Sequence, residues 1–202
     1  ATVGWDGSAS VWDATTGEEI CPLSGHAGRI FGIAFRPDGT RLVTASDDKT
    51  ARVWDAASGK ELLALIGHTD ALNGVAYSPD GKTIATASWD NTVRLWNAAT
   101  GDELLVIQTG IELMCVVYNP DGTRLAASST EGVVFVWDIS KGQPELLYKL
   151  TGHTAGVAIL HFSPDGQYLA TPSFDGTLKV WRMDTGQEWL TFKVGTVMVT
   201  NV

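Results

Sequence analysis

Apolar and β-branched residues along this chain fall into short runs of about five or six, separated by clusters of Gly, Pro, Asp, Asn and Ser. No run has the length or the 3.6-residue periodicity of a sound helix. In the stretch from Gly67, Leu72 to Tyr77 reads as a first strand and Pro79-Asp80-Gly81 as its turn. Thr83 to Ser88 reads as a second strand, closed by a tight turn at Trp89-Asp90-Asn91. Thr92 to Trp96 is the third strand, the Asn97 to Gly101 loop reverses the chain, and Glu103 to Ile107 is the fourth. One such stretch is a four-stranded antiparallel meander.

The same pattern returns along the whole chain. Tryptophans stand at Trp12, Trp54, Trp96, Trp137 and Trp181, at separations of 42, 42, 41 and 44 residues. A glycine follows each five residues later, at Gly17, Gly59, Gly101, Gly142 and Gly186, and an acid precedes each by six, at Asp6, Asp48, Asp90, Glu131 and Asp175. Pro-Asp-Gly recurs at Pro37, Pro79, Pro120 and Pro164, and His26, His68 and His153 each lie 13 residues before the glycine of one of these tripeptides. A fixed period of this size identifies a repeat architecture. A meander cannot bury both of its faces alone, so successive copies must stack face to face around an axis, which is a β-propeller.

The expected fold is therefore all-β, a single propeller domain over residues 1–202 with about five blades, four whole and one split between the termini. The repeats run over 1–24 (partial), 25–66, 67–107, 108–151, 152–194 and 195–202 (a partial strand). Ala1 to Gly4 aligns with Ala85 to Ser88, late in a second strand, and Thr196 to Val202 aligns with the start of a first strand. The two ends are thus expected to share a blade. The alternatives of a fragment of a larger ring and of a half-ring completed by another chain stay open. An uncapped end blade would favour association with a second copy or complementation by another chain.

Gly-His, Pro-Asp-Gly, Ser-x-Asp-x-Thr and Trp-Asp at this period resemble the WD-repeat family of propellers, and the resemblance covers essentially the whole chain. It implies a hydrogen-bonded tetrad in each blade. Carried over, the sets are His26, Ser46, Asp48 and Trp54; His68, Ser88, Asp90 and Trp96; and His153, Ser173, Asp175 and Trp181. Thr44, Thr86 and Thr171 share the strand face and are rival candidates for the hydroxyl member. The repetition argues for structural posts, since a catalytic triad is normally one constellation held once. In the repeat from 108, Gln108-Thr109 replaces Gly-His and Glu131 replaces Asp, so that blade is expected to be the softest. Pro172 interrupts a second strand and should distort it.

Within a ring the turn residues before each acid, Trp5, Asp47, Trp89, Thr130 and Phe174, are expected on one face near the channel mouth, where the family commonly meets peptides. Arg29, Ala71, Glu112 and Gly156, three residues after each histidine position, should border it. Three large aromatics there resemble the anchors of a binding hot spot, and Arg29 and Asp47 would add charge specificity. The expected function is a non-catalytic protein- or peptide-binding scaffold, with no cofactor or metal. The repeats also look like bacterial WD arrays, which implies the sensor part of a larger signalling protein. A carbohydrate or small-molecule propeller is the alternative, followed by an enzyme with a channel-mouth site, for which His161 is the one unusual residue.

Charge and composition narrow the partners. Fourteen basic against 23 acidic residues give a formal charge of −9, which excludes the positive field of non-specific nucleic-acid binding. No apolar stretch approaches a membrane span, and the N-terminus lacks a signal-peptide pattern. Cys21 and Cys115 have neither CxxC spacing nor a fixed relation to the histidines, which fits free thiols in a reducing, cytoplasmic setting.

Overall fold

The computed structural model describes residues 1–194. Nineteen strands in that range form five antiparallel sheets, each a meander in chain order. The first sheet is β1 (Thr2–Val3), β2 (Ala9–Trp12) and β3 (Glu19–Pro22). The second is β4 (Ile30–Phe35), β5 (Arg41–Ser46), β6 (Thr50–Asp55) and β7 (Glu61–Ile66). The third is β8 (Leu72–Tyr77), β9 (Thr83–Ser88), β10 (Thr92–Asn97) and β11 (Glu103–Gln108). The fourth is β12 (Leu113–Tyr118), β13 (Arg124–Ser129), β14 (Val134–Asp138) and β15 (Glu145–Leu150). The fifth is β16 (His161–Phe162), β17 (Tyr168–Pro172), β18 (Thr177–Arg182) and β19 (Glu188–Lys193). The chain is an all-β propeller of about five blades. The expected pairing of Thr196 to Val202 with the first blade lies outside the described residues.

One rule of packing recurs at each blade junction. The tryptophan-bearing face of a sheet meets the small and aliphatic face of the sheet before it. Trp54, Leu42 and Ile30 pack on Ala9, Val11, Cys21 and Leu23, and Trp96, Leu72 and Ile84 pack on Val43, Val53 and Leu65. Trp137 and Leu125 meet Ala85, Ala87 and Val93, and Trp181 and Leu169 meet Ala126, Val136 and Leu150. Each buried large side chain contributes about 1.5–3 kcal/mol, so the junctions, rather than any one sheet, hold the fold.

Register irregularities repeat with the sequence. The tryptophan-bearing strand and the strand after it slip by one residue at the tryptophan in all five sheets. First and second strands slip between Ile30 and Gly32, Leu72 and Gly74, and Leu113 and Cys115, which bulges out Phe31, Asn73 and Met114. Such bulges bend a strand and re-aim a side chain.

The distortion expected from Pro172 is present and falls on its inner neighbour. Only His161 and Phe162 pair with β17 as strand, and Val157 reaches Ser173 through an isolated bridge. Pro172 has no N–H to offer, so residues 158–160 leave the ladder.

Candidate interaction surface

Beneath the surface lie the hydrogen-bonded posts that fix its turns. His26 Nδ1 is 2.8 Å from Asp48 Oδ2, and His26 Nε2 is 2.7 Å from the Thr44 hydroxyl, which also accepts the Trp54 indole N–H at 2.8 Å. His68, Asp90, Thr86 and Trp96 repeat this at 2.8, 2.7 and 2.9 Å. His153, Asp175, Thr171 and Trp181 repeat it with all three contacts at 2.9 Å.

The hydroxyl member is therefore threonine, and the assignment of Ser46, Ser88 and Ser173 to the tetrads is corrected. Each serine sits two residues further along the strand, about 7 Å on, which places it over the turn and away from the indole. There its hydroxyl accepts the amide of Asp48, Asp90 or Asp175 at 3.0–3.1 Å and so fastens the turn backbone. Indole only donates, so the Thr O–H points to imidazole Nε2 and the imidazole Nδ1–H to the carboxylate, a relay in which every group is satisfied.

Burial pushes the His26 and His68 imidazoles below their ordinary value, and the neighbouring carboxylates only partly oppose it. Burial also works to raise the Asp48 carboxyl. Hydrogen bonds from Thr50, His26 and the Ala27 amide outweigh it and hold Asp48 at about 2. Asp90 and Asp175 are likewise held below the ordinary carboxylate value, against burial, by hydrogen bonds from Thr92 and Thr177, from the Thr69 and Thr154 amides, and from their histidines.

The fourth sheet has replaced the post as a unit. Thr109 stands for histidine and Ala127 for threonine, and Phe135, where the other blades carry Arg52, Arg94 or Lys179, stacks on Trp137 at 5.6 Å and 15°. In the first sheet Trp12 donates to Thr2 at 2.8 Å, and Asp6 is taken by the Ser8 amide and hydroxyl.

Each turn acid is followed by a residue with a left-handed backbone: Gly7, Lys49, Asn91, Gly132 or Gly176, at φ between 67 and 81°. That turn presents the residue before the acid outward. The amides of Asp47, Trp89, Thr130 and Phe174 donate to the carbonyls of Arg29, Ala71, Glu112 and Gly156 at 2.8, 3.0, 3.0 and 2.9 Å. The two sets of positions read from the sequence are thus joined pairwise by the backbone at one rim.

Trp5 is 76% exposed, and Trp89 and Phe174 are each 38% exposed. The Arg29 guanidinium lies 5.8 Å from the centre of the Trp5 ring, a cation–π contact, and Arg29 and Asp47 border the same shallow depression as Trp5. Trp89 leans on Phe31 of the preceding blade with ring centres 6.3 Å apart. Thr130 is half-buried, with its hydroxyl 3.5 Å from the Glu112 carbonyl, and adds little side chain to the rim.

Phe31, against Trp89, and Met114, beside Gly156, belong with these residues and are not visible from the sequence. They are bulged residues of the inner strands, and alternation of apolar and polar positions carries no mark of a bulge. His161 lies exposed in β16, away from this rim, in a wide depression with Tyr77, Tyr118 and Phe162 at the opposite ends of the inner strands. Among the described residues, no group of three or more His, Cys, Asp or Glu side chains is placed to hold a metal ion.

The WD domain, G-beta repeat (WD40) family matches residues 17–55, 59–97, 105–138 and 144–182. These spans cover well over half of the chain, which belongs to this family of repeat propellers. Each matched span runs from the last strand of one blade through the third strand of the next, so one sequence repeat laps two blades. WD repeat-containing protein 1 of Bos taurus is 44% identical over 52 residues, 24% of this chain and 9% of its own length. The Gallus gallus protein of that name is 42% identical over 52 residues, 24% of this chain and 8% of its own length. Protein HIR1 of Mycosarcoma maydis is 45% identical over 49 residues, 24% of this chain and 5% of its own length. The match thus spans under a tenth of each relative. These relatives are eukaryotic and lend no support to a bacterial kind of array. WD repeats are in general non-enzymatic scaffolds for protein interaction.

Proposed function

We propose that the chain binds a protein or peptide, without catalysis, on the rim that carries Trp5, Trp89 and Phe174. The observation that carries this reading is the presentation of three partly exposed aromatic rings at equivalent turn positions, with Arg29 stacked on Trp5 beside Asp47. Rigid aromatics beside a charged pair are the residue types on which binding energy concentrates.

Absence of catalysis is supported by the three repeated posts, in which each hydroxyl is already shared between an indole and an imidazole. Two free cysteines fit a reducing compartment such as the cytoplasm. The charge of −9 favours a partner with basic groups over nucleic acid or an anionic membrane.

Affinity capture with the wild type and with Trp5→Ala/Trp89→Ala tests the reading. Loss of an aromatic anchor costs about 2 kcal/mol, roughly thirtyfold in affinity. The double variant should lose the captured polypeptide and keep its melting temperature. Equal capture by both proteins refutes the assignment, and a large fall in melting temperature makes these rings packing residues. Glycan binding that disappears in the variant without competition from peptide transfers the rim to carbohydrate.

A further inference from the structure

On the side of the molecule opposite the aromatic rim, the bonds that cross a blade junction differ from blade to blade. Arg41, at the start of β5, reaches the Ala98 carbonyl of the third blade at 3.5 Å, and Arg124, at the start of β13, reaches the Met183 carbonyl of the fifth at 2.6 Å. The same strand position in the third blade holds Thr83, whose short side chain meets the Tyr118 hydroxyl at 3.0 Å. No guanidinium crosses from that position to the fourth blade. The facing loop also stands off. Glu61, Glu103 and Glu188 come seven residues after their tryptophans, but Glu145 comes eight after Trp137, with Pro144 in the longer loop. A Cβ on Gly59, Gly101 or Gly186 would come within 4 Å of Cys21, Leu63 or Tyr148 in the preceding blade, whereas one on Gly142 would meet nothing at that range. What remains is a slot of about 350 Å³ between the third and fourth blades, walled by Leu95, Leu104, Leu105, Tyr118, Ile139 and Pro144. Both blades are packed on a further blade at their other face. Among the described residues the charged groups that line the slot are Asp80 and Asp121, both exposed, with no basic side chain beside them.

We propose that this slot binds a small organic cation, a guanidinium carried on an apolar body. The aliphatic walls take the body, and the two carboxylates orient the charge. One oxygen of each carboxylate fastens its own turn: Asp80 Oδ1 takes the Ser78 hydroxyl and the Lys82 amide, and Asp121 Oδ1 takes the Thr123 amide and hydroxyl. The guanidinium is selected by the neighbouring junctions, each of which reaches across the equivalent place with an arginine of its own. A slot of about 350 Å³ lies in the size range of small-molecule sites. It is at the other end of the blades from Trp5 and Trp89, so its failure leaves the rim untouched.

Titration of the 202-residue chain with phenethylguanidinium, followed by amide and methyl NMR, reads the outcome. The Leu95, Leu104, Leu105 and Ile139 signals should move, with a Kd of roughly 0.1–1 mM for a ligand of this size. Phenethylurea, neutral and of the same shape, should bind about tenfold more weakly. Thr83→Arg supplies the missing guanidinium from within the chain, and should abolish binding of both probes with the β-sheet circular-dichroism spectrum retained. Asp121→Asn, on an exposed turn, should weaken phenethylguanidinium several-fold and leave phenethylurea as it was. The proposal is overturned by an absence of shifts at about 10 mM probe, by equal affinity for the two probes, or by shifts confined to Trp5 and Trp89. A folded Thr83→Arg protein that still binds also overturns it. If Thr83→Arg does not fold, Asp121→Asn decides, and unchanged guanidinium affinity in that variant overturns the proposal. A blocked leucyl-arginine peptide that binds more tightly than phenethylguanidinium would give the slot to a protein partner and overturn the assignment to a small molecule.

Discussion

The Thr86 hydroxyl accepts the Trp96 indole N–H and faces the His68 imidazole, which is in turn tied to Asp90. Deleting a member of such a chain costs more than the bond itself, because its partners stay buried and unpaired. Asp90→Ala removes the carboxylate that holds both His68 and the Thr69 amide, and should lower stability by about 1–3 kcal/mol. Thr86→Val should cost a similar amount, for it strands an indole and an imidazole together. Glu131→Ala should change stability by no more than about 0.5 kcal/mol, since that side chain is exposed and faces no histidine. Urea unfolding of the three variants decides the matter. Equal losses for Asp90→Ala and Glu131→Ala would deny the post its structural role.

At the scale of the strand, the turn chemistry and the alternation of apolar residues placed the third blade within one residue. Thr92–Asn97 and Glu103–Gln108 each run one position beyond the expected end. What stayed hidden was geometry between strands. Ser88 and Thr86 have the same alternation and the same hydroxyl, and only the offset of two residues relative to Trp96 separates a turn fastener from a post member. Bulges are equally silent in sequence, so Phe31 and Met114 were not seen at the rim. Proline was legible because its defect is chemical: Pro172 cannot donate. Since residues 158–160 lie outside the ladder, their amides should exchange with solvent faster than those of Gly32 to Ala34 or Gly74 to Ala76. Residue-resolved hydrogen exchange measures this, and equal protection would mean that the fifth blade tolerates proline without losing its inner strand.

For the whole molecule, repetition turns a local ionisation into a global property. His26 and His68 are held below their ordinary 6.5, so between that value and their folded values the unfolded chain takes up protons that the folded chain refuses. Their contribution is fully present above pH 6.5 and falls as the pH drops through the folded values. Asp48 is held at about 2 against an ordinary 3.8, so its contribution is present above 3.8 and is lost as the pH falls from there towards 2. Asp90 and Asp175 act in the same direction. Calorimetric melting should therefore show a level stretch above about pH 7, a first decline below 6.5 and a second, steeper one below about 4. The fourth sheet, with Thr109 in place of the histidine, adds nothing to the first step. Because the blades are joined through shared apolar junctions, both steps should appear as shifts of one cooperative transition. A melting temperature that is flat from pH 7 to 5 would show that the histidines are not kept neutral by burial.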